Sequence, residues 1–380
     1  MPTMKALQLL APRKTVLAEV PVPRTPSDGL LMKTRCVSIC STDISFYEGH
    51  LYPSEYPVVL GHEYLGEVVD IGPRFSGPVD ISVGDRIVYW GQTDFGGFAE
   101  YRSLRPVFSG EDKQDIFWAD RDFFDDHRAA AVKVPDTLGD LEASFIEPTT
   151  GALRSVLTHP PRIGDRVLVL GTGPIGIIVG SVIKRLFAPH SVVSVDANPR
   201  RNTHAEEHFS ERAYLPDELK RDVADNTFDY VFDALPTVKA ADREQDPRRL
   251  AMLKLKPRGR YILYGASQEM QQFDTWLMLA KGIDISSAPF DVTSFPMHRT
   301  ANVIVAAAHM LSTGIVNAKG LLSTVCPFDD YDRLVNILAD YRTTTDLKTI
   351  VDFRPRTARI PLQAGTGRAG AGVLEEEVRR

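Results

Sequence analysis

Two hydrophobic rhythms divide the chain. From 5 to 107, short runs rich in valine and isoleucine occur at 30–37, 64–71 and 85–89, separated by turn residues at 21–23, 27–29, 72–73 and 96–97. Such spacing predicts a compact β-rich domain. From Arg166 the pattern changes, with strands expected at 166–170, 191–196, 228–234 and 259–265, and helices at 175–186 and 200–210. Repeated strand–helix units predict a parallel sheet with right-handed crossovers, closed by a last strand at 283–286. A helix at 141–158 joins the two patterns, and helices at 300–312 and 331–341 return the chain to the first.

The segment 111–131 fits neither rhythm. It holds acids, aromatics and a terminal triple alanine without a clean period, so we read it as an inserted surface loop or short helix before a strand at 132–135. From Arg354 onward Arg, Gly, Ala and Glu follow one another without a hydrophobic period, which predicts a disordered tail. No internal repeat is visible.

At 380 residues the chain exceeds one ordinary core, and two domains are expected. Hydrophobic residues at 43% and charged residues at 25% describe a soluble globular protein. A net charge of −6 argues against nucleic acid or an anionic membrane as the main partner. The three cysteines, Cys36, Cys40 and Cys326, make no disulfide framework and suit a reducing cytosol. The N-terminus has too short an apolar stretch for a signal peptide. The longest uncharged run, 167–183, contains four glycines and a proline, and reads as strand–turn–helix rather than a membrane span. A cytoplasmic location is expected.

Candidate chemistry begins with Gly171-Thr-Gly173-Pro174-Ile175-Gly176, which follows a buried strand and opens a helix. Gly171 permits the tight turn, Gly173 lets backbone approach a pyrophosphate, and Gly176 allows close helix–strand packing. Asp196 ends the next strand, where a carboxylate can accept hydrogen bonds from ribose hydroxyls. A carboxylate there repels a 2′-phosphate, so NAD is favoured over NADP, although Arg200 and Arg201 just beyond the strand are able to hold such a phosphate.

Upstream of that loop lie Cys40, the pair His62–Glu63, and Glu147. One thiolate, one imidazole and carboxylates suit zinc, and three protein ligands leave its fourth position for water or substrate. Each alone has a plainer role: a packed thiol, a loop histidine, an acid at a helix start. Cys36 and Cys326 have no neighbouring histidine or acid pattern and are assigned to packing. A metal that polarises a carbon–oxygen bond beside a dinucleotide suggests hydride transfer to or from an alcohol.

Cys40-Ser-Thr-Asp43, Tyr56-Pro-Val-Val-Leu-Gly-His-Glu63, Gly66-Glu-Val-Val, Gly84-Asp-Arg-Ile-Val, Gly96-Gly-Phe-Ala-Glu-Tyr101 and Ile146-Glu-Pro148 resemble, in order, segments of the zinc-dependent medium-chain dehydrogenase/reductase family, alcohol and polyol branch. The resemblance implies an α/β fold: a GroES-like β-rich catalytic domain at 1–151, a Rossmann doubly wound parallel-sheet domain at 152–292, and a return to the catalytic domain at 293–353, with 354–380 as the tail. It implies Cys40 and His62 as zinc ligands, Glu63 as an adjacent acid able to exchange onto the metal, and Glu147 as the last metal-site residue. Glutamate in that place resembles the sorbitol-type enzymes and favours a polyhydroxylated substrate such as a sugar alcohol, sugar or cyclitol. A narrower likeness, in Ser38-Ile-Cys-Ser-Thr-Asp and Tyr56-Pro-Val-Val, is to aminocyclitol dehydrogenases.

Two departures matter. No cysteine cluster lies between Trp90 and Gly96, so one catalytic zinc and no structural zinc is expected. Ser45 stands where many members carry the histidine that ends a proton relay, so the relay runs through Thr42, a ribose hydroxyl, and then Ser45 or water. Asp43 is expected to hold its loop, while Tyr47, Tyr89 and Trp90 are candidates for lining the pocket. Homodimers or homotetramers are common in the family. The alternatives are a dehydrogenase of simple alcohols, a zinc-free reductase of the same fold, and a non-catalytic nucleotide-binding protein.

Overall fold

The first unit is built around one strand with three neighbours. In chain order come β1 (Thr3–Ala11), β2 (Lys14–Pro21), β3 (Leu30–Ser38), helix α1 (Ser41–Glu48), β4 (Val58–Val59), β5 (Glu63–Ile71), β6 (Arg86–Tyr89), β7 (Tyr101–Val107) and β8 (Arg128–Lys133). Strand β3 pairs with β5 and β7, and the ladder β3-β5-β6-β8-β7 closes back onto β3 as a small barrel. Closure removes the exposed edges an open sheet would present. Leu30, Met32, Val37, Leu65, Ile87, Leu104 and Val351 are buried in this region. The computed structural model describes residues 2–355 except 54, 91–94, 111–127, 237, 239–241, 266–269, 289–296 and 345.

Helices α2 (Asp140–Ala143) and α3 (Ile146–Thr158) lead into the second unit. It contains β9 (Arg166–Leu170), α4 (Pro174–Leu186), β10 (Ser191–Val195), α5 (Pro199–His208), β11 (Ala213–Tyr214), α6 (Pro216–Asp222), β12 (Phe228–Asp233), α7 (Pro247–Lys254), β13 (Leu255–Leu263), α8 (Thr275–Lys281) and β14 (Asp284–Ser287). The six strands are all parallel, in the order β11-β10-β9-β12-β13-β14. Residues 167–170 of β9 are buried, as expected of a central strand covered on both faces. Strand order reverses between β9 and β12, which opens a crevice at their carboxyl ends.

The chain then returns through α9 (Met297–Ser312), α10 (Ala318–Leu321), β15 (Leu322–Pro327), α11 (Tyr331–Asp340) and β16 (Lys348–Asp352). Helix α9 packs on α3 and β8, and β16 pairs antiparallel with β3. Among the described residues, no helix is long and apolar enough to cross a membrane, and the uncharged run 167–183 forms β9, a loop and part of α4.

Several expectations need correction. Helix α1 interrupts a stretch read as strand. Its signals are local: Asp43 Oδ2 accepts from the Cys40 backbone N–H at 2.9 Å, and Gly49 ends it in the left-handed region at φ 77°. The single helix at 141–158 is two, broken at 144–145. Strand β8 starts at Arg128, not 132, so the end of the 111–131 segment is barrel rather than excursion; its residues 111–127 lie outside the described residues. Strand β13 starts at Leu255, four residues earlier than its apolar pattern suggests. Of the tail, 356–380 lies outside the described residues.

Candidate metal and cofactor site

Cys40 caps α1, while His62 and Glu63 stand at the start of β5, whose end residue Glu63 pairs with Ser38 of β3. Strand pairing therefore delivers both segments to one place. One ligand atom from each of Cys40, His62 and Glu63 lies within 4.8 Å of the others. Asp43 fixes this approach: buried in α1, it also accepts from the Gly61 backbone N–H at 2.9 Å, tying the two loops together. His62 Nδ1 stands 3.4 Å from Asp43 Oδ1 without forming a well-aligned hydrogen bond. Burial alone would lower the His62 proton affinity, but Asp43 and Cys40 outweigh it and raise it.

Glu147 sits in the first turn of α3, buried, and outside that three-residue group. Burial pushes its carboxyl up to about 8, with Glu63 adding to the rise and His62 and Lys348 opposing it. It thus shares an electrostatic environment with the group. A thiol, an imidazole and a carboxyl group that bring one donor atom each within 4.8 Å make a donor set that fits a zinc ion.

The sequence gives no warning of Lys348. At the start of β16, it is buried and donates to Glu63 Oε1 at 2.5 Å, to Glu63 Oε2, and to the Ile39 carbonyl at 3.1 Å. Ser38 Oγ also donates to Glu63 Oε2. The carboxylate of Glu63 is therefore neutralised by a protein cation, which makes it a partner of the ion pair as much as a metal donor.

Thr42 accepts from the Cys40 thiol at 3.7 Å, so its hydroxyl lies beside the sulfur. Ser45, on the same face of α1, donates to the Ser41 carbonyl at 3.0 Å and accepts from Arg342 at 3.2 Å. Arg342 also donates to Glu48 at 2.5 Å. Of the aromatic candidates, Tyr47, Tyr89 and Trp90 are buried, and Arg154 lies over the Trp90 ring at 4.5 Å. Cys36 and Cys326 are buried, and burial, the largest cause, raises the Cys36 thiol far above its ordinary value.

The glycine loop lies at the crevice. Gly171 has φ +90°, and a Cβ on Gly176 would stand 2.0 Å from the Gly171 carbonyl oxygen, so helix α4 reaches the strand only with glycine there. Gly173 caps α4, with Pro174 and Ile175 in its first turn, leaving backbone N–H groups facing the loop. Asp196 follows β10 and accepts from Thr172 and Asn198 backbone N–H groups, both at 2.8 Å. Beside it is a cavity of about 730 Å³ lined by Asp196, Asn198, Arg200, Arg201, Arg342 and Thr344, among others. Among the described residues, buried Arg201 Nε has no hydrogen-bond partner. Arg342 connects this cavity to Ser45, a link no motif announces.

The profile of the alcohol dehydrogenase GroES-like domain matches residues 26–108. The solved 2R,3R-butanediol dehydrogenase from Bacillus subtilis superposes with a TM-score of 0.69 over 92% of this chain and 100% of that one, at 20% identity, a likeness of fold. An L-threonine 3-dehydrogenase of Shewanella woodyi is 32% identical over 208 residues, 52% of this chain but only 59% of that protein. The L-threonine 3-dehydrogenase of Cronobacter sakazakii is 30% identical over 321 residues, 74% of this chain and 91% of that protein. At that identity and coverage, the chain belongs to the zinc-dependent medium-chain dehydrogenase/reductase family.

Proposed function

We propose that this protein is a zinc-dependent oxidoreductase moving hydride between NAD and a secondary alcohol or ketone of a polyol, sugar or cyclitol. The meeting of Cys40, His62 and Glu63 within 4.8 Å carries this reading. Cys40 and His62 hold the metal, Glu147 and Glu63 are the adjustable acids, and one zinc is bound per subunit. When bound, zinc supplies Lewis acidity that favours the deprotonated form of a substrate hydroxyl.

The chain's own groups do the rest. Thr42, beside the Cys40 sulfur, takes the hydroxyl proton and passes it outward along α1 toward the cofactor ribose and Ser45. Buried Asp43 keeps the two ligand loops in register. Gly171, Gly173, Pro174, Ile175 and Gly176 seat the pyrophosphate at the start of α4. Asp196 accepts from the adenosine ribose, which favours NAD, while Arg201 lines the same cavity. Glutamate at 147, as in sorbitol-type enzymes, supports a polyhydroxylated substrate; the butanediol dehydrogenase likeness agrees with it in fold.

The same reading divides the chain into catalytic (1–151), nucleotide-binding (152–292) and returning catalytic (293–353) parts, in a cytoplasmic homodimer or homotetramer. Elemental analysis together with an NAD-coupled screen of sugars, cyclitols and simple alcohols tests it. One zinc per subunit and turnover of polyols are expected. NAD binding with neither zinc nor turnover would sink the proposal.

A further inference from the structure

Tyr264 directly follows β13 and enters the crevice at the carboxyl end of the parallel sheet. Its ring packs against Phe232 of β12, centroids 5.8 Å apart. Its hydroxyl reaches across to α3. A Cβ added at Gly151 would stand 3.1 Å from the Tyr264 hydroxyl oxygen and 3.9 Å from Trp90 Nε1. Gly151 is four residues beyond Glu147, so the two share one face of α3, and the missing side chain at 151 makes room for the phenol one turn from the acid.

The tyrosines nearby differ in what they bond. Tyr230 donates to the His159 carbonyl at 2.8 Å and Tyr261 to Asp233 at 2.9 Å. Among the described residues, Tyr264 has no such acceptor, and phenol hydroxyls in partly apolar surroundings ordinarily find one. Burial first, then the charges of Glu147, Cys40 and Glu63, raise its proton affinity, which keeps it a hydrogen-bond donor across the working pH range.

We infer that Tyr264 determines specificity: its hydroxyl donates a hydrogen bond to a second oxygen of the substrate, next to the carbinol held at the Cys40–His62–Glu63 group. This rests on the function proposed above and narrows it to substrates with neighbouring oxygens. A residue just beyond a strand of the nucleotide-binding unit would thus read the substrate beside α3.

The test pairs substrates that differ by one hydroxyl: cyclohexane-1,2-diol with cyclohexanol, and butane-2,3-diol with butan-2-ol. In Tyr264→Phe, kcat/KM for the diols should fall roughly tenfold, the scale of one neutral hydrogen bond, with the monoalcohols changed less than about twofold. Zinc content and the NADH dissociation constant should stay at wild-type values. In Gly151→Ala the methyl group crowds the hydroxyl, so the diol preference should also shrink, and shrink further little when combined with Tyr264→Phe. Wild-type turnover with an unchanged diol-to-monoalcohol ratio in Tyr264→Phe overturns the inference alone, as does an equal loss on both kinds of alcohol. Absence of turnover in the zinc-loaded wild type on every alcohol overturns the proposed function and this inference with it.

Discussion

Lys348 and Glu63 illustrate how the site depends on single residues. Both are buried, and each oxygen of the carboxylate meets the ammonium group. Removing one member of such a pair leaves an uncompensated charge, which costs about 3–5 kcal/mol. Lys348→Met should therefore lose about that much stability in urea unfolding, and Glu63→Gln combined with it should recover a large part. Equal stability of Lys348→Met and wild type would show that the pair is not held as described. The pair was illegible in the sequence because its partners are 285 positions apart and no motif connects them. Cys40, His62 and Glu63 were legible because donor types with narrow chemical uses stand in short, ordered segments. Glu147 was legible as an acid near a helix start, but not its position outside the three-residue group.

At the scale of elements, β3, α2 and the residues after β16 are joined through Asp140. Its carboxylate accepts from Arg35 at 2.7 Å and 2.9 Å, from Arg86 at 2.9 Å and from Arg354 at 3.3 Å. Burial alone would raise the Asp140 carboxyl, but hydrogen bonds from Arg35 and Arg86 outweigh it and hold it below its ordinary value. A depressed folded value means stability present above the ordinary carboxylate range, near pH 3.9, and lost as the pH falls through the folded value. Asp140→Asn should cost about 1–3 kcal/mol at neutral pH, for a partly exposed network, and the gap to wild type should close in acid. Thermal melts across pH check this, and a gap that widens in acid would reverse the sign. Elements of the parallel sheet were easier to read than those of the barrel. Buried runs such as that of β9, followed by glycine loops, signal themselves locally. Helix α1 did not, because polar Asp43 shares its buried face with Ile44, Phe46 and Tyr47 and blunts the hydrophobic period among β-rich neighbours.

Across the whole molecule, the proposed function needs residues of two units at one crevice. Cys40, His62 and Glu63 lie on the barrel side, at α1 and β5, while the glycine loop, Asp196 and Tyr264 belong to the parallel-sheet side. Arg342 crosses between them, bonding Ser45 and Glu48 while lining the cavity beside Asp196. Such long-range meetings arise only once β16 returns to β3, which is why neither Arg342 nor Lys348 could be read from the chain. The most direct test of the account is NADH formation from the polyol panel by protein as purified, after chelation, and after zinc is returned. Turnover that disappears with the metal and comes back with zinc is the predicted result; undiminished turnover by zinc-free protein would contradict it.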